Sequence, residues 1–394
     1  MRILILHNFY QHLGGEDTVV QQEADALSQD GHQVEILTVK NCKGFKGLVQ
    51  YFFYPFNIST CNRLFNKIID FRPDIVHIHN LHYALGPFII RKLKKSKIPV
   101  VMTLHNFRLI CPSATLFFNN KLFTKSIKED FPWTAIKNKV LDNSFIKTFI
   151  TAYTYWIHKK INTWNTVDKY FTFSDFSKNI FEQSTLKVSN DRFVVKPNFS
   201  SIVNVEPKIF NNHFLYIGRL SEEKGIIPLL EAISQTKYTI RIFGSGPQEN
   251  RVLDFASKYP NIEYLGFQDK TCLSKEIRLA NALIVPSVCY EGMPMTIIEA
   301  FSFGTPVLCS NIGILKQMVV PLQTGLHFNP YSSDSIIGSL MEWENLDNES
   351  KKVISKQCID EFQSKYTKEE NLRILNRTYQ QIITENEYNN YRPS

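Results

Sequence analysis

Tyr216-Ile217-Gly218-Arg219-Leu220-Ser221-Glu222-Glu223-Lys224-Gly225 decides the fold. A strand-like apolar run ends in a glycine, and Arg219 and Lys224, five residues apart, follow in a loop that opens a helix. Working outward in both directions, short β-branched or aromatic runs alternate with helix-length stretches, the pattern of a parallel α/β sheet. Strands are predicted over 214–217, 239–243, 262–265, 282–285 and 306–309 on the downstream side. Upstream they are predicted over 2–7, 33–39, 74–79, 100–104, 169–173 and 193–196. A helix after the first strand carries Val20, Ala24 and Leu27 on one face.

Residues 199–212 are polar with one proline and read as a linker between two similar sheets. The expected domains are therefore 1–204 and 205–366, followed by a tail over 367–394. That tail is helical and polar, with Leu372, Leu375 and Tyr379 at core spacing. Ligands of open α/β sheets sit beyond the carboxyl ends of the strands, so two Rossmann-like domains are expected to offer those loops to a cleft.

Composition narrows the class. With 394 residues, 43% hydrophobic and 21% charged, the chain can build cores without disulfides or structural metals. Seven scattered cysteines with no C-x-x-C pair suit a reducing compartment. Met1 to His7 reads as a first strand rather than a signal peptide, and no run of about 18 apolar residues occurs. A cytoplasmic protein is expected. The net charge of +8 is concentrated: residues 121–160 hold eight lysines against three acids, and Arg91, Lys92, Lys94, Lys95 and Lys97 form a second run. Nucleic acid, an anionic membrane or a phosphorylated substrate could each use such patches.

Five stretches carry candidate chemistry. Cys289 to Ala300 holds Glu291, Gly292, Met293, Pro294, Met295, Thr296 and Glu299. Pro294 is placed to start a helix where its missing N–H costs nothing, and the N–H groups near Met295 and Thr296 then make a positive end suited to phosphate. Glu291 and Glu299 can accept hydrogen bonds from different hydroxyls of one ligand, or be unrelated surface acids. Gly218 with Arg219 and Lys224 offers two cations for a diphosphate leaving group, each ion contact being worth about 4 kcal/mol at ~4 Å and an effective dielectric near 20. The alternative is a solvated loop in which Glu222 and Glu223 pair those cations. No D-x-D triplet occurs, so the metal–diphosphate anchor it would supply is not expected.

Phe243-Gly244-Ser245-Gly246-Pro247 is a truncated dinucleotide fingerprint with Glu249 at the third glycine position. It fits better as a glycine turn that a nucleotide can approach. His12-Leu13-Gly14-Gly15-Glu16 leads from the first strand into a helix start that can present bare N–H groups, or is a plain turn. His105 and Asn106 end another strand, where a histidine can polarise an acceptor hydroxyl or the transferring sugar, or simply be hydrogen-bonded. His77, His79 and His82 invite a metal, but no cysteine or clustered acid nearby completes a shell, and none is expected.

Taken together these stretches resemble glycosyltransferase family four, the retaining enzymes of GT-B architecture. The matching text is Gly14-Gly15-x-Asp17, 73–79, 103–112, Lys196-Pro197-Asn198, 216–225, 243–247, 265–267, 291–300, 304–306 and 324–326, in family order, with Glu291 and Glu299 at the E-x7-E spacing. The resemblance implies that Arg219 and Lys224 clamp the donor diphosphate and that Glu291 contacts the donor sugar. It implies that Met295 and Thr296 meet phosphate through their backbone and that Glu299 holds the ribose. It further implies that His105 lies beside the reacting sugar, that Gly14 and Gly15 line the acceptor side, that 1–204 binds the acceptor and 205–366 the nucleotide sugar, and that the last helix returns to the N-terminal domain. The expected function is hexose transfer from a UDP- or GDP-linked sugar to a glycan or lipid-linked acceptor in surface polysaccharide synthesis. No metal, no further cofactor and no nucleic acid are expected. A nucleotide-sugar 2-epimerase, a non-catalytic assembly partner and a nicotinamide oxidoreductase are the rivals.

One segment departs from the family pattern. After Cys111-Pro112 an aromatic, basic insert runs to about residue 165. Within it Phe145, Ile146, Phe149, Ile150, Tyr153, Trp156 and Ile157 form a stripe at helical spacing, followed by Lys159-Lys160. Two expectations compete: a core-facing helix, or contact of residues 121–165 with an anionic membrane.

Overall fold

A computed structural model describes residues 1–9, 15–201 and 208–391. His12, Leu13 and Gly14 of the glycine-rich turn, and 202–207 of the expected linker, lie outside the described residues. The chain divides into two compact units. The first is Met1–Leu116, Phe123–Pro197 and Asn371–Ser394, and the second is Asn198–Glu370 with the hairpin Phe117–Leu122.

In chain order the first unit contributes β1 (Arg2–Phe9), α1 (Gly15–Gln29), β2 (Gln33–Lys40), α2 (Gly44–Phe52), α3 (Ile58–Phe71), β3 (Ile75–Ile78), α4 (Phe88–Lys95) and β4 (Val100–Thr103). After the hairpin strands β5 (Phe117–Phe118) and β6 (Lys121–Leu122) come α5 (Trp133–Lys137), α6 (Phe145–Lys160), β7 (Lys169–Thr172), α7 (Asp175–Glu182) and β8 (Phe193–Val195). Its six-stranded sheet is parallel, in the order β2-β1-β3-β4-β7-β8. Ile3 to Leu6 of β1 are wholly buried, as a strand covered on both faces requires. Chain order reverses direction between β1 and β3, so the crevice outside their carboxyl ends is the place where a ligand fits.

The second unit runs β9 (His213–Ile217), α8 (Ile226–Ile233), β10 (Thr239–Phe243), α9 (Glu249–Lys258), β11 (Ile262–Tyr264), α10 (Lys270–Leu279), β12 (Leu283–Val285) and α11 (Met295–Ser302). It closes with β13 (Val307–Ser310), α12 (Leu315–Met318), β14 (Gly325–Phe328), α13 (Ser333–Glu344) and α14 (Asn348–Lys365). Its parallel sheet has the order β11-β10-β9-β12-β13-β14, with the reversal between β9 and β12. All eleven expected strands are found, each within two residues of its expected limits. The edge strand β14, which starts on a glycine, and the short hairpin were not expected.

The final helix, α15 (Lys368–Tyr391), packs in the first unit through the predicted residues: Leu375 and Tyr379 are fully buried, and Leu372 nearly so. No helix among the described residues is long and apolar enough to cross a membrane.

The face that α6 buries corrects the core-facing expectation. Its inward residues are Thr148, Thr151, Ala152, Thr154, Tyr155 and His158, whereas Phe145, Ile146 and Phe149 are exposed. Each inward polar group has a partner: Thr148 and Thr154 donate to Ser144 O and Ile150 O, and His158 pairs with Thr163 and Pro55 O. The larger apolar side chains go outward because the inward face meets the hydroxyls of Tyr51 and Tyr54, which need polar partners.

Candidate functional site

In the second unit, the loops that leave β9 and β12 converge at the sheet's reversal point. Val288 N donates to Glu223 O at 2.9 Å. Gly225 has φ +68, and a Cβ there would stand 2.0 Å from Pro286 O. Only glycine lets these two loops touch. Their contact brings Lys224 Nζ to 2.6 and 2.8 Å from Glu291 Oε1 and Oε2, and Ser287 Oγ donates to Oε1 at 2.5 Å. Lys224 and Glu291, named separately as ligand contacts, are thus each other's partners. Glu223 instead accepts from Ser221 Oγ, so the alternative pairing of Lys224 with Glu222 or Glu223 does not occur. Burial works to lower the Lys224 pKa, but the Glu291 carboxylate outweighs it and the ammonium is held above its usual range.

Arg219 is exposed in the same loop, and its guanidinium has no ion pair among the described residues. Gly218 N donates to Phe243 O, and Leu220 N donates to Ser245 O, which lays the β9 loop along the β10 loop. Gly244 has a packing role in this contact. Its φ is +139, and an added Cβ would meet Gly218 O at 1.9 Å. The missing side chain makes room for the backbone of Gly218. Gly246 is similarly close to Leu220 O, and Pro247 is exposed beside it.

Pro294 is the N-cap of α11 with ψ 117, one residue earlier than expected, because the helix proper starts at Met295. Met295 and Thr296 occupy the first turn, where helix N–H groups lack intrahelical acceptors and favour an anion. Gly292 and Met293 lie in the preceding loop, and Met293 Sδ accepts from Asn198 N. Glu299 lies on the second turn; burial raises its pKa, opposed by Lys270.

The first unit assembles a second cluster at the β1–β3–β4 carboxyl edge. His105 Nε2 is 2.9 Å from His79 Nδ1, and Asn106 Nδ2 donates to Glu16 Oε1 at 2.8 Å. Burial, offset by the Asn106 bond and by Arg108, raises the Glu16 carboxyl to about 7. Burial, reinforced by His79, Lys196 and His7, drives the His105 pKa well below its usual range, so its imidazole is neutral. A hollow is lined by His79, Asn80, His105, Asn106, Arg108 and Tyr155. Gly15 opens α1 and is exposed, with open space where a side chain would be, while Gly14 lies outside the described residues.

Behind His79 sits a charge cluster that sequence reasoning missed. Glu23 Oε1 is 2.9 Å from His77 Nδ1 and 3.2 Å from His79 Nε2, and Lys196 Nζ is 2.5 Å from Glu23 Oε2. Tyr379 OH, from α15, is 2.7 Å from His77 Nδ1, and His77 Nε2 is 2.7 Å from Thr103 Oγ1. The expectation that no acid stands near the histidines is corrected: Glu23, His77 and His79 bring ligand atoms within 4.8 Å of one another. That triad could hold a metal by donor type, yet the Lys196 ammonium already supplies the carboxylate with a cation. Burial would raise the Glu23 pKa, but Lys196, His77 and His79 together hold it well below its usual value. The available signal was the place of Glu23 on the apolar stripe of α1, three residues after Val20 and four before Leu27.

The model of the family described as Glycosyl transferases group 1 matches residues 205–358, and that of Glycosyltransferase Family 4 matches residues 13–199. A glycogen synthase of Acholeplasma laidlawii is 24% identical over 365 residues, covering 81% of this chain and 75% of that protein. The lipopolysaccharide 1,2-N-acetylglucosaminetransferase of Salmonella typhimurium is 32% identical over 142 residues, 32% of this chain and 37% of that one. Among solved structures, Anabaena HepE in complex with UDP has a TM-score of 0.66 at 14% identity, covering 97% of this chain and 100% of that one.

Proposed function

The chain belongs to glycosyltransferase family 4, of the glycosyl transferases group 1 and the GT-B architecture, and on that premise we propose a specific reaction for it. It moves a hexose, with retention, from a nucleoside-diphosphate sugar to a glycan or lipid-linked acceptor in surface polysaccharide synthesis. The observation that carries this reading is the Lys224–Glu291 pair at the β9–β12 reversal, beside Arg219 and the start of α11. The UDP bound by HepE and the lipopolysaccharide chemistry named for the Salmonella relative support the donor and acceptor classes.

The donor is assigned to the second unit. Breaking the bond between the anomeric carbon and the β-phosphate oxygen leaves an electron pair on that oxygen. In this reading Arg219, Lys224 and the N–H groups of Met295 and Thr296 meet the developing charge, without a metal. Glu291 holds donor sugar hydroxyls, and Glu299 holds the ribose. Gly218, Gly244, Gly246, Pro247, Gly292 and Met293 shape the loops around them.

The acceptor is assigned to the first unit, at Gly14, Gly15, His105 and Asn106. A neutral His105 suits a hydrogen bond to a sugar hydroxyl rather than an ion pair with phosphate. The acceptor oxygen attacks the face that the leaving group departs from, and its proton passes to the departing phosphate oxygen. The reading includes peripheral contact of residues 121–165 with an anionic membrane, supported by the exposed Phe145, Ile146 and Phe149.

A thermal-shift panel of UDP- and GDP-sugars tests the donor. A true donor at 100 times its Kd stabilises by about 2.7 kcal/mol. NMR of the product linkage then tests retention. Absence of stabilisation by every nucleotide sugar would remove the reading, and an epimer formed from donor alone would replace it.

A further inference from the structure

The α2 helix is built inside out. Phe45, Leu48, Val49 and Phe52 recur at helical spacing, a stripe that a helix of a globular protein ordinarily turns to the core. Here all four are exposed, Phe45 at 79%, Leu48 at 61% and Phe52 at 70%, and Phe53 and Phe56 beyond the helix are exposed as well. The buried side is the other one. A Cβ on Gly47 would lie 2.1 Å from Cys42 O, and Tyr51 OH donates to Lys147 O at 2.8 Å. The orientation is fixed by these contacts, so the apolar stripe cannot roll inward.

Charge says what covers it. Between Glu35 and Asp70 there is no acidic residue, while Lys40, Lys43, Lys46, Arg63 and Lys67 supply five positive charges, all exposed. A second copy of this chain docking face to face would press those charges against their equals. An apolar stripe flanked by lysines instead matches the boundary of an anionic bilayer, with acyl chains beneath and phosphates around. By contrast Lys159 and Lys160, behind the α6 stripe, are both paired with Asp130.

Position adds a reason. β2 ends at Lys40 and runs parallel to β1, so α2 starts at the carboxyl edge of the sheet, where His105 follows β4. Tyr54 OH, just after α2, donates to Tyr155 OH at 2.6 Å, and Tyr155 lines the hollow that holds His105.

We propose that α2 is a membrane-docking helix: Phe45, Leu48, Val49 and Phe52 enter the acyl boundary of an anionic bilayer while Lys40, Lys43 and Lys46 meet its phosphates. This sets the candidate acceptor hollow against the surface that carries a lipid-linked substrate. The inference deepens the acceptor reading, names an element outside residues 121–165 as the anchor, and stands apart from the donor chemistry.

The test is co-flotation of the full chain with phosphatidylcholine vesicles, with and without phosphatidylglycerol. The parent floats with the anionic vesicles at low salt and not with phosphatidylcholine alone. Phe45→Ser/Phe52→Ser lowers the bound fraction at least ~10-fold, as loss of two inserted rings requires, with donor-induced stabilisation unchanged. Lys43→Glu/Lys46→Glu does the same. A Phe52→Trp variant shifts its emission to the blue and is quenched by acyl-brominated phosphatidylglycerol; this reading stands even if the serine variant folds poorly. The proposal is overturned if the parent fails to float, if that tryptophan is not quenched, or if the serine variant floats like the parent. Should Phe145→Ser/Ile146→Ser alone abolish flotation, the contact belongs to residues 121–165 and not to α2.

Discussion

Lys224 Nζ lies within 2.8 Å of both carboxylate oxygens of Glu291, so a cation and an anion from loops 67 residues apart reach the proposed donor site as one unit. An ammonium has three donors, and Glu291 engages it through two oxygens. The pair holds Lys224 in place before any phosphate arrives, which spares the reorganisation that a free lysine would need.

Removing one member strands the other. Glu291→Gln leaves the Lys224 ammonium without its counterion. The expected loss is about 1–3 kcal/mol in urea unfolding, less than for a fully buried pair because the Lys224 side chain is 29% exposed. Lys224→Met/Glu291→Leu restores part of it. A double variant less stable than Glu291→Gln would show that the pair contributes net attraction instead.

The cluster behind His105 is buried more deeply, and its side chains at Glu23 and Lys196 are each 1% exposed. Glu23→Gln leaves Lys196 unpaired and is expected to cost about 3–5 kcal/mol. Tyr379→Phe removes only the hydroxyl on His77 and costs about 1 kcal/mol. Chemical denaturation of both variants measures the ratio. Equal losses would mean that the ion pair has no special weight.

Stability falls with acid from an unusual starting point. Burial is the leading cause that lowers the pKa of His7, His77, His79, His82, His105, His158, His213 and His327. Each stays neutral in the fold while the unfolded chain takes up protons below about 6.5. The histidine contribution to stability is therefore full above that pH and is lost as pH drops, down to about 4 for His158 and about 3 for His79. Every such group contributes up to ~1.4 kcal/mol per pH unit in its window. Melting temperatures at pH 7.5 and 5.5 check this; a flat profile between them would contradict the buried neutral histidines.

Because Lys196 balances Glu23, a divalent metal at Glu23, His77 and His79 would have to displace an ammonium. Prolonged treatment with a chelator is expected to leave the melting temperature and the turnover unchanged. A lower melting temperature, restored by zinc, would identify a metal there.

How much of this was legible in the sequence depended on range. Strands such as Thr239–Phe243 are short runs rich in β-branched and aromatic residues, this one closed by Gly244-Ser245-Gly246-Pro247, and they were readable. So were the glycine turns and the spacing from Glu291 to Glu299. What distant residues do to one another was not. The pairing of Lys224 with Glu291 needs the β9–β12 adjacency, and Gly244 owes its place to Gly218, which only sheet order brings beside it. The helix Phe145–Lys160 shows the limit of periodicity: both faces have a pattern, and the hydroxyls of Tyr51 and Tyr54 select the threonine face for burial.

Turnover of the donor sugar by Lys224→Ala is the most direct measurement. If the lysine stabilises the departing diphosphate, kcat drops about 100-fold or more, as for loss of one preorganised charge stabiliser. A rate within about threefold of the parent, in a variant that still folds, would remove Lys224 from the chemistry and the donor assignment with it.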